Sequence, residues 1–381
     1  MQRIKYLFLL IVVINFIQLS AQENDSIDFI SDSLNESHEK SEQFQNFSTE
    51  QSKISFVGFP LALYTPETSV VIGGGGILTL RSGKENYNLR PNSINLRAFY
   101  TFKNQFGFSA LPEFYFKNYS RKVWGMLAYQ KFPDSFYGIG SDISIEEPES
   151  YTPEGYLFTI GASAKIFGNL GLGGWYKLKR TNVLEIEEDG ILSGDDFQWT
   201  DNGLISGFGP EIDWDERNNI FYPTEGLRLQ FRFGYFRNWM GSDFDYDYYY
   251  FDYRQYFSLI ESHIIAVQFV VESIEGNFPF TEYSRLEQMR GINGSIFKDS
   301  KVIFGQAEYR YPIYGKIYGV VFGAFGNVTD EYRNLTVQGM KYSFGLGLRY
   351  LIDPEEKINF RLDVGISRFG ISPYFQISEA F

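Results

Sequence analysis

The sequence contains no cysteine and only two histidines, His38 and His263, among 381 residues. Disulfides, thiolate metal sites and cysteine nucleophiles are therefore excluded, and so is a histidine-rich metal site. Basic residues are also outnumbered: 34 Lys and Arg against 47 Asp and Glu give a formal net charge of −13. Because nucleic acids are bound through a basic surface that neutralises phosphates, no nucleic-acid partner is expected.

Aromatic residues and glycine are abundant instead. Phe, Tyr and Trp make up 19% of the chain, and there are 37 Gly. Aromatic side chains favour β-strands and also gather at the two interfaces of a membrane. The composition therefore favours an acidic, aromatic-rich all-β protein that leaves the cytoplasm.

The pattern of the first 53 residues indicates that the protein is exported from the cytoplasm. Residues 1–21 resemble a signal peptide: Arg3 and Lys5 precede an apolar core at 7–17, and small residues offer a cleavage site behind it. An uncleaved anchor is the alternative, but the apolar run is too short to span a bilayer. Residues 22–53 are polar, without Gly or Pro, and predict a flexible periplasmic segment. No later run is apolar enough for a transmembrane helix.

From Ile54 onward, apolar and polar residues alternate repeatedly. In 342–350, for example, Phe344 and Leu346 alternate with Gly345 and Gly347. The same period of two runs through 94–103, 156–166, 227–235, 264–273 and 358–367. Alternation at this period indicates strands with one apolar and one polar face.

Two architectures use such strands. A soluble β-sandwich hides the apolar faces inside, whereas a transmembrane β-barrel turns them toward lipid and lines its interior with the polar faces. Several segments reach about a dozen residues, which is the length that crosses a bilayer at a tilt and exceeds the mean soluble strand. The sequence therefore predicts a transmembrane β-barrel over residues 54–381, in the outer membrane of a Gram-negative cell envelope.

The barrel is predicted to have 16 antiparallel strands. The segment 54–64 contains Pro60 and is counted as an edge-like first strand, because single-chain bacterial barrels have an even number of strands. The predicted strands are 54–64, 69–82, 92–103, 105–117, 121–132, 156–167, 170–182, 203–215, 225–238, 246–259, 263–275, 301–312, 316–328, 340–352, 357–368 and 371–381.

Connection lengths alternate along the chain, as they do in outer-membrane barrels, where short turns face the periplasm and long loops face outward. The connection 216–224 is longer than the other periplasmic turns. The short turns fall near 118–120, 168–169, 260–262, 313–315 and 353–356, and the long loops near 133–154, 183–201, 239–245, 276–300 and 329–339.

A set of short motifs, in this order and spacing, resembles the BamA/TamA superfamily of outer-membrane assembly factors, also called the bacterial surface-antigen family. The resemblance covers residues 57–381. The motifs are Phe59-Pro60, Tyr64 to Thr68, Tyr137-Gly138-Ile139-Gly140, GPEIDWDERNNIFYPTEG at 209–226, Met289-Arg290-Gly291, Glu308 to Pro312, Gly345 to Arg349, Arg361-Leu362-Asp363 and the terminal Phe381.

The resemblance implies roles for particular residues. In the family, the arginine of the Arg-Gly motif folds back from an outer loop and pairs with acidic residues on strands inside the lumen, which here implies Arg290, Gly291 and Glu308. The alternative is that Arg290 is one solvated loop charge. Phe381 is similar to an outer-membrane insertion signal. The family's periplasmic hairpin motif is represented by Asp215, Arg217, Pro223 and Gly226.

Two departures from the family pattern stand out. Ala324 lies where the family has a second lumenal carboxylate, so the loop is expected to be held less firmly or by another partner. The family also has periplasmic POTRA domains before the barrel, and residues 23–53 are too few to form one. The resemblance therefore implies a member that lacks POTRA domains.

The function implied by the resemblance is insertion or translocation of outer-membrane proteins or lipids. It would proceed through a weak seam between first and last strands, where Pro60 and Pro373 remove backbone donors. The expected partners are outer-membrane lipid and a periplasmic or outer-membrane protein that supplies the missing domains, and homo-oligomerisation is left open. The alternatives are a passive pore or structural barrel and a soluble binding module.

No enzymatic or cofactor site is expected. Neither histidine forms a Ser-His-Asp arrangement, because His38 lies in the flexible segment and His263 begins a strand. Asp243, Asp245 and Asp247 have a D-x-D-x-D spacing, but the Gly turn and the later bidentate Glu of a calcium loop do not follow. We therefore expect a hydrated acidic loop there, with no metal and no cofactor.

Overall fold

The computed structural model describes residues 53–65, 69–81, 90–116, 119–187, 190–193 and 203–381. Contacts divide the chain into two units, Met1–Gln51 and Ser52–Phe381, and the described residues all belong to the second. The predicted signal peptide and polar segment lie outside the described residues.

The predicted barrel fold is confirmed: the described residues contain 16 antiparallel strands that form one sheet in chain order. The strands are β1 (Lys53–Thr65), β2 (Ser69–Arg81), β3 (Asn92–Thr101), β4 (Phe106–Phe116), β5 (Arg121–Lys131), β6 (Pro153–Phe167), β7 (Leu170–Val183), β8 (Gly203–Asp215), β9 (Gly226–Phe236), β10 (Tyr246–Ile260), β11 (His263–Gly276), β12 (Lys301–Tyr314), β13 (Ile317–Thr329), β14 (Lys341–Asp353), β15 (Ile358–Ser367) and β16 (Gly370–Ile377).

Alternation explains which face of each strand meets lipid. On β14, Phe344 and Leu346 are 69% and 64% exposed, whereas Ser343 and Arg349, on the opposite face, are 0% and 1% exposed. The apolar row therefore points outward, and the polar row is enclosed. This is the arrangement of a membrane barrel and the reverse of a soluble sandwich.

Between β4 and β15, the connections follow the predicted alternation of short periplasmic turns and long outer loops, with 216–225 again longer than the other turns. Gly168 and Gly315 lie in the two-residue turns after β6 and β12, with φ of 53° and 55°. This left-handed backbone suits the tight turns that match the twist of antiparallel strands. On the outer side, the connection from β11 to β12 spans residues 277–300.

An apolar core lies inside the barrel beneath that outer loop. Leu286, Met289 and Phe297 of the loop are almost fully buried and pack with residues from β11, β12 and β13, among them Val270 and Phe304. The loop therefore fills the outer half of the lumen with apolar side chains.

Short strands in the outer loops cap this end of the molecule. Asp134–Phe136 pairs with Glu149–Tyr151, and Ser284–Arg285 pairs with Lys298–Asp299. We call these two ribbons the outer cap. The helices of the described residues are single 3-10 turns, and none has the length and apolar character to cross a bilayer.

The sheet begins at β1 and ends at β16, and within the described residues no backbone ladder joins these two strands. Every other neighbouring pair has an antiparallel register; β1 and β2 pair from Lys53 with Arg81 to Thr65 with Ser69. The barrel is therefore interrupted at one place. We call this junction of the first hairpin (β1–β2) with the last hairpin (β15–β16) the seam.

Side chains close the seam in place of a ladder. On β1, Phe56 is 61% exposed and points outward, so Val57 and Phe59 belong to the inner face. On β15, Asp363 is fully buried in the lumen, so Phe360 belongs to the outer face. The rings of Phe59 and Phe360 nevertheless lie 5.8 Å apart, edge to face. The inner face of the first hairpin therefore laps over the outer face of the last.

The end of the last strand differs from the prediction. The sequence predicts a strand over 371–381, but β16 ends at Ile377, and Ser378 takes a left-handed φ of 74° that turns the chain inward. Glu379 then accepts a hydrogen bond from Arg349 at 2.7 Å, and Phe381 packs against Tyr256. The prediction is wrong for these last residues, because the chain leaves the ladder after Ile377 and the Glu379 carboxylate pairs with Arg349 in the lumen.

Candidate functional site

The outer loop 277–300 carries Arg290 into the lumen, where its guanidinium is buried. Its Nη2 lies 2.7 Å from Oε2 of Glu308 on β12, and its Nη1 lies 2.8 Å from Oδ2 of Asp363 on β15. Its Nε donates to Gln306 at 3.3 Å. Arg290 is 3% exposed and Glu308 is 2% exposed. The structure thus brings together Arg290 and Glu308, the two residues that the family resemblance pairs.

Gly291 allows the loop to approach the wall this closely. Its φ is 94°, and a Cβ there would lie 2.8 Å from the side chain of Ser343. Its backbone N–H donates to the Tyr374 hydroxyl of β16 at 2.8 Å, and the Ser343 hydroxyl donates to the carbonyl of Arg290. The Arg-Gly pair is therefore held by β14 and β16 as well as by the carboxylates.

Asp363 supplies the carboxylate that Ala324 lacks. Ala324 lies in the apolar core under the loop, and the guanidinium of Arg290 stacks 3.8 Å from the ring centroid of Phe322 instead. Sequence reasoning missed Asp363 as a partner of Arg290. The available signal was its place on the polar face of a strand beside Arg361, but which loop cation reaches that face depends on the loop's path.

The buried ion pairs continue from Glu308 toward the periplasm. Nε of Arg310 donates to Oε1 of Glu308 at 2.6 Å, and its Nη1 donates to the carbonyl of Pro223 at 3.0 Å. Arg349 contacts both Asp363 and Glu379. Isolated buried charges are costly, whereas charges with several hydrogen-bonded partners are tolerated. Arg310 therefore joins the two groups of residues that the resemblance singles out.

The periplasmic connection 216–225 holds the hairpin motif, and its base is closed by Asp215. Oδ1 of Asp215 accepts from Nε of Arg217 at 3.0 Å, and Oδ2 accepts from Nη1 of Arg90 at 2.6 Å. Gly226 begins β9 with φ of 97°, and a Cβ there would lie 2.2 Å from the carbonyl oxygen of Glu216. These positions shape the turn, and Pro223 offers its carbonyl to the lumen.

The outer cap holds a paired acid and an unpaired base. Nη1 of Arg285 lies 2.9 Å from Oδ2 of Asp134. Burial raises the pKa of Asp134, but the guanidinium and the hydroxyls of Ser295 and Tyr151 offset this and lower it to about 2. Lys298 is fully buried, and its Nζ has no hydrogen-bond partner among the described residues. Burial, together with the nearby cation of Arg285, lowers the pKa of Lys298 to about 7.

The acidic outer loop uses its carboxylates on the protein itself. Asp243 accepts from the N–H of Leu204 at 2.7 Å, and Asp247 pairs with Arg237 at 2.8 Å. Among the described residues, no group of His, Asp and Glu is arranged to hold a metal ion.

Comparisons with known proteins agree with this geometry. The model of the Omp85 superfamily domain matches residues 86–354. The solved structure of BamA from Haemophilus ducreyi lacking POTRA domains 1–3 is similar, with a TM-score of 0.55 and 13% identity over 86% of this chain and 70% of that chain. CdiB from Acinetobacter baumannii has a TM-score of 0.53 and 11% identity over 86% of this chain.

The chain spans 59% of the length of CdiB, and no curated protein matches it. At these identities the two structures show only a similar fold. The family match covers most of the chain and therefore shows the family. The chain therefore belongs to the Omp85 superfamily and is an outer-membrane β-barrel.

Proposed function

We propose that this barrel assists the insertion or translocation of outer-membrane proteins or lipids through the seam. The observation that carries the proposal is the absence of a backbone ladder between β1 and β16 within the described residues. An unpaired strand edge presents N–H and C=O groups that an incoming strand can pair with. The seam offers two such edges, held together by side chains.

The sequence at the edges supports a weak junction. Pro60 on β1 and Pro373 on β16 each lack a backbone N–H, so neither strand can offer a full set of donors. The overlap of the first hairpin on the last, which we call the lap, is held by dispersion and by apolar burial. These contacts can separate without breaking the backbone hydrogen bonds of the barrel wall. An opening at the seam therefore costs less than an opening between any other two strands.

The contents of the lumen favour this role over that of a passive pore. The outer half is filled by loop 277–300 and its apolar core, and the inner half by the ion pairs around Glu308. A conducting channel needs a continuous water-filled path. We therefore propose low, unsteady conductance in planar bilayers, and no enzymatic activity.

The proposed partners follow from the two surfaces of the barrel. Outer-membrane lipid covers the exposed apolar row, exemplified by Phe344. BamA, as its structure is described, has POTRA domains. We propose that this barrel works together with a periplasmic or outer-membrane protein.

A reversible lock across the seam tests the function. Oγ of Ser55 on β1 lies 3.4 Å from Oδ2 of Asp353, which ends β14 just before the last hairpin. The pair Ser55→Cys with Asp353→Cys therefore places one thiol on the first hairpin and the other at the base of the last hairpin. With the natural chain free of cysteine, the disulfide is unique. We expect oxidation to abolish barrel-stimulated insertion of a client outer-membrane protein into vesicles, and reduction to restore it.

A lock within the wall is the matched control. Thr79 and Ser93 face each other on β2 and β3, and the pair Thr79→Cys with Ser93→Cys joins strands that are already laddered. Oxidation of this pair is expected to leave insertion unchanged. Equal activity of the oxidised and reduced seam lock would refute the proposal.

A further inference from the structure

The connection 216–225 links β8 to β9, which lie halfway around the sheet from the seam. Its side chains nevertheless reach the seam across the periplasmic mouth of the lumen. Phe221 is 7% exposed and forms one buried apolar cluster with Val57 and Ile77 of the first hairpin and with Ile358 and Ile377 of the last. Phe221, with the half-buried Ile220 packed against the same cluster, thus brings the opposite wall into contact with both hairpins.

Polar contacts hold the connection against the last hairpin. The carbonyl of Phe221 accepts a hydrogen bond from the Ser378 hydroxyl at 3.0 Å, and Nδ2 of Asn219 donates to the carbonyl of Glu356 at 3.4 Å. The Glu356 carboxylate in turn accepts from Nε and Nη2 of Arg81 on β2, at 2.6 and 2.7 Å. Glu356 therefore lies between the connection and the first hairpin.

The connection is preorganised to present Phe221. Oδ1 of Asn219 accepts from the backbone N–H of both Phe221 and Tyr222 at 2.8 Å. Oδ1 of Asn218 accepts from the N–H of Thr224 at 3.0 Å, which closes the base of the turn. Because the backbone is already fixed by these bonds, little conformational entropy is lost when Phe221 enters the cluster.

We infer that the connection 216–225 is a clasp for the seam, and that Phe221 is the positioning residue that keeps the first hairpin lapped over the last. Phe221 contributes apolar burial to both sides of the lap at once, so its withdrawal weakens both. A ligand or partner that binds the connection from the periplasm and withdraws Phe221 frees the seam. The use of this opening for client passage rests on the proposed function, whereas the holding of the seam does not.

A simpler role for Phe221 is to fill the mouth of the lumen without acting on the seam. The two roles differ in what happens to the lap when the ring is removed. If Phe221 only fills space, the contact between Ser55 and Asp353 persists in its absence. If it is a clasp, that contact is lost for part of the time.

The experiment measures disulfide formation between Ser55→Cys and Asp353→Cys in the purified full chain in detergent, without any client. Adding Phe221→Ala is expected to slow the disulfide at least about tenfold, as loss of a buried phenyl ring implies. Phe280→Ala is the matched control, because Phe280 is also buried, at 3% exposed against 7% for Phe221, but packs against the outer cap. It is expected to leave the rate unchanged.

Folding is checked in each variant by heat-modifiable gel mobility. Where Phe221→Ala fails to fold, Phe221→Leu, which keeps part of the apolar volume, is expected to slow the disulfide to an intermediate rate. A folded Phe221 variant that forms the disulfide as fast as its parent overturns the clasp. Since no client is present, this result is independent of the insertion assay. The clasp can be supported when the insertion proposal fails, and the insertion proposal can be supported when the clasp fails.

Discussion

The two sides of the seam are held in different ways. The last hairpin is tied from inside the lumen: Asp363 binds Arg290, the Tyr374 hydroxyl accepts from the N–H of Gly291, and Glu379 behind it binds Arg349. The first hairpin is held instead by apolar contacts with the last hairpin, by the hydrogen bond from Ser55 to Asp353, and by the ion pairs of Lys53 and Arg81 with Glu355 and Glu356. We therefore expect the last hairpin to stay fixed to the lumenal ion pairs and the first hairpin to be the side that moves.

The strands themselves show the same contrast. β2 contains four consecutive glycines, Gly73 to Gly76, and glycine in a strand interior contributes no packing and loses more entropy on ordering. β15 carries Arg361 and Asp363 in the lumen. From this difference we expect an opening at the seam to displace β1–β2 rather than β15–β16.

The largest effect is expected from Arg290→Ala. It removes one of the buried cations that Glu308 and Asp363 share, while Arg349 stays within reach of both carboxylates. We therefore expect a cost at the lower end of the range for breaking a buried ion pair, about 3 kcal/mol. Hydrogen exchange should speed up in loop 277–300 and in β15–β16, with β1–β2 little changed. Arg333→Ala is the control, since the side chain of Arg333 is 80% exposed. Equal loosening of both hairpins would contradict the asymmetry.

Gly226→Ala should act on the other side, through the clasp. A methyl group 2.2 Å from the Glu216 carbonyl forces the turn to shift, at a cost of about 1–3 kcal/mol. The disulfide between Ser55→Cys and Asp353→Cys should form more slowly. Gly140→Ala is the control, because Gly140 also has a positive φ but a Cβ there would have no atom within 4 Å. If Gly140→Ala leaves the rate of disulfide formation unchanged, the slower rate in Gly226→Ala is due to the collision with the Glu216 carbonyl.

The stability of the outer cap should depend on pH through Lys298. Burial lowers the pKa of Lys298 to about 7 from 10.5, so between these values the unfolded chain binds more protons than the folded chain. Stability therefore rises as pH increases above 7, by less than about 1.4 kcal/mol per pH unit. Melting of the outer cap at pH 7 and pH 8 should show the rise in the parent and lose it in Lys298→Met. A matching rise in the methionine variant would rule out Lys298 as its source.

The smallest effect is expected from Phe360→Ala, which removes the edge-to-face contact with Phe59, about 0.5 kcal/mol beyond its area. A thiol at Val57→Cys, 8% exposed in the parent, should then react faster with a maleimide. Phe344→Ala, an exposed wall residue, should not change that rate. Slower labelling after Phe360→Ala would mean that the ring does not help to cover β1.

The barrel wall was predictable from local sequence patterns, and a weak seam between first and last strands was implied by the family resemblance, but the side-chain contacts that close the seam were not predictable. Several strands, such as β14, show a period of two, and all but β16 have ten residues or more. Both signals are local. The lap of Phe59 on Phe360 depends on how the two ends of a long sheet meet, which no local pattern encodes. The inward turn at Ser378 was missed for the same reason, since its cause is Arg349 across the lumen.

The site shows the same division. The contact of Arg290 with Glu308 matches the family resemblance, because both residues lie in recognisable motifs. Asp363 as the second carboxylate follows from the register that brings β15 beside the loop. The contact of Phe221 with the seam depends on the path of a turn across the lumen. The residues next to Phe221 in the sequence do not predict that path.

A lapped closure has a consequence for the size of the barrel. In a wall closed by a ladder, backbone hydrogen bonds fix the register of the first strand against the last. Here apolar side chains such as Val57 and Phe59 make that junction instead. We therefore expect the first hairpin to shift over the last in small steps while these side chains stay covered, so that the perimeter of the barrel is adjustable at this one place.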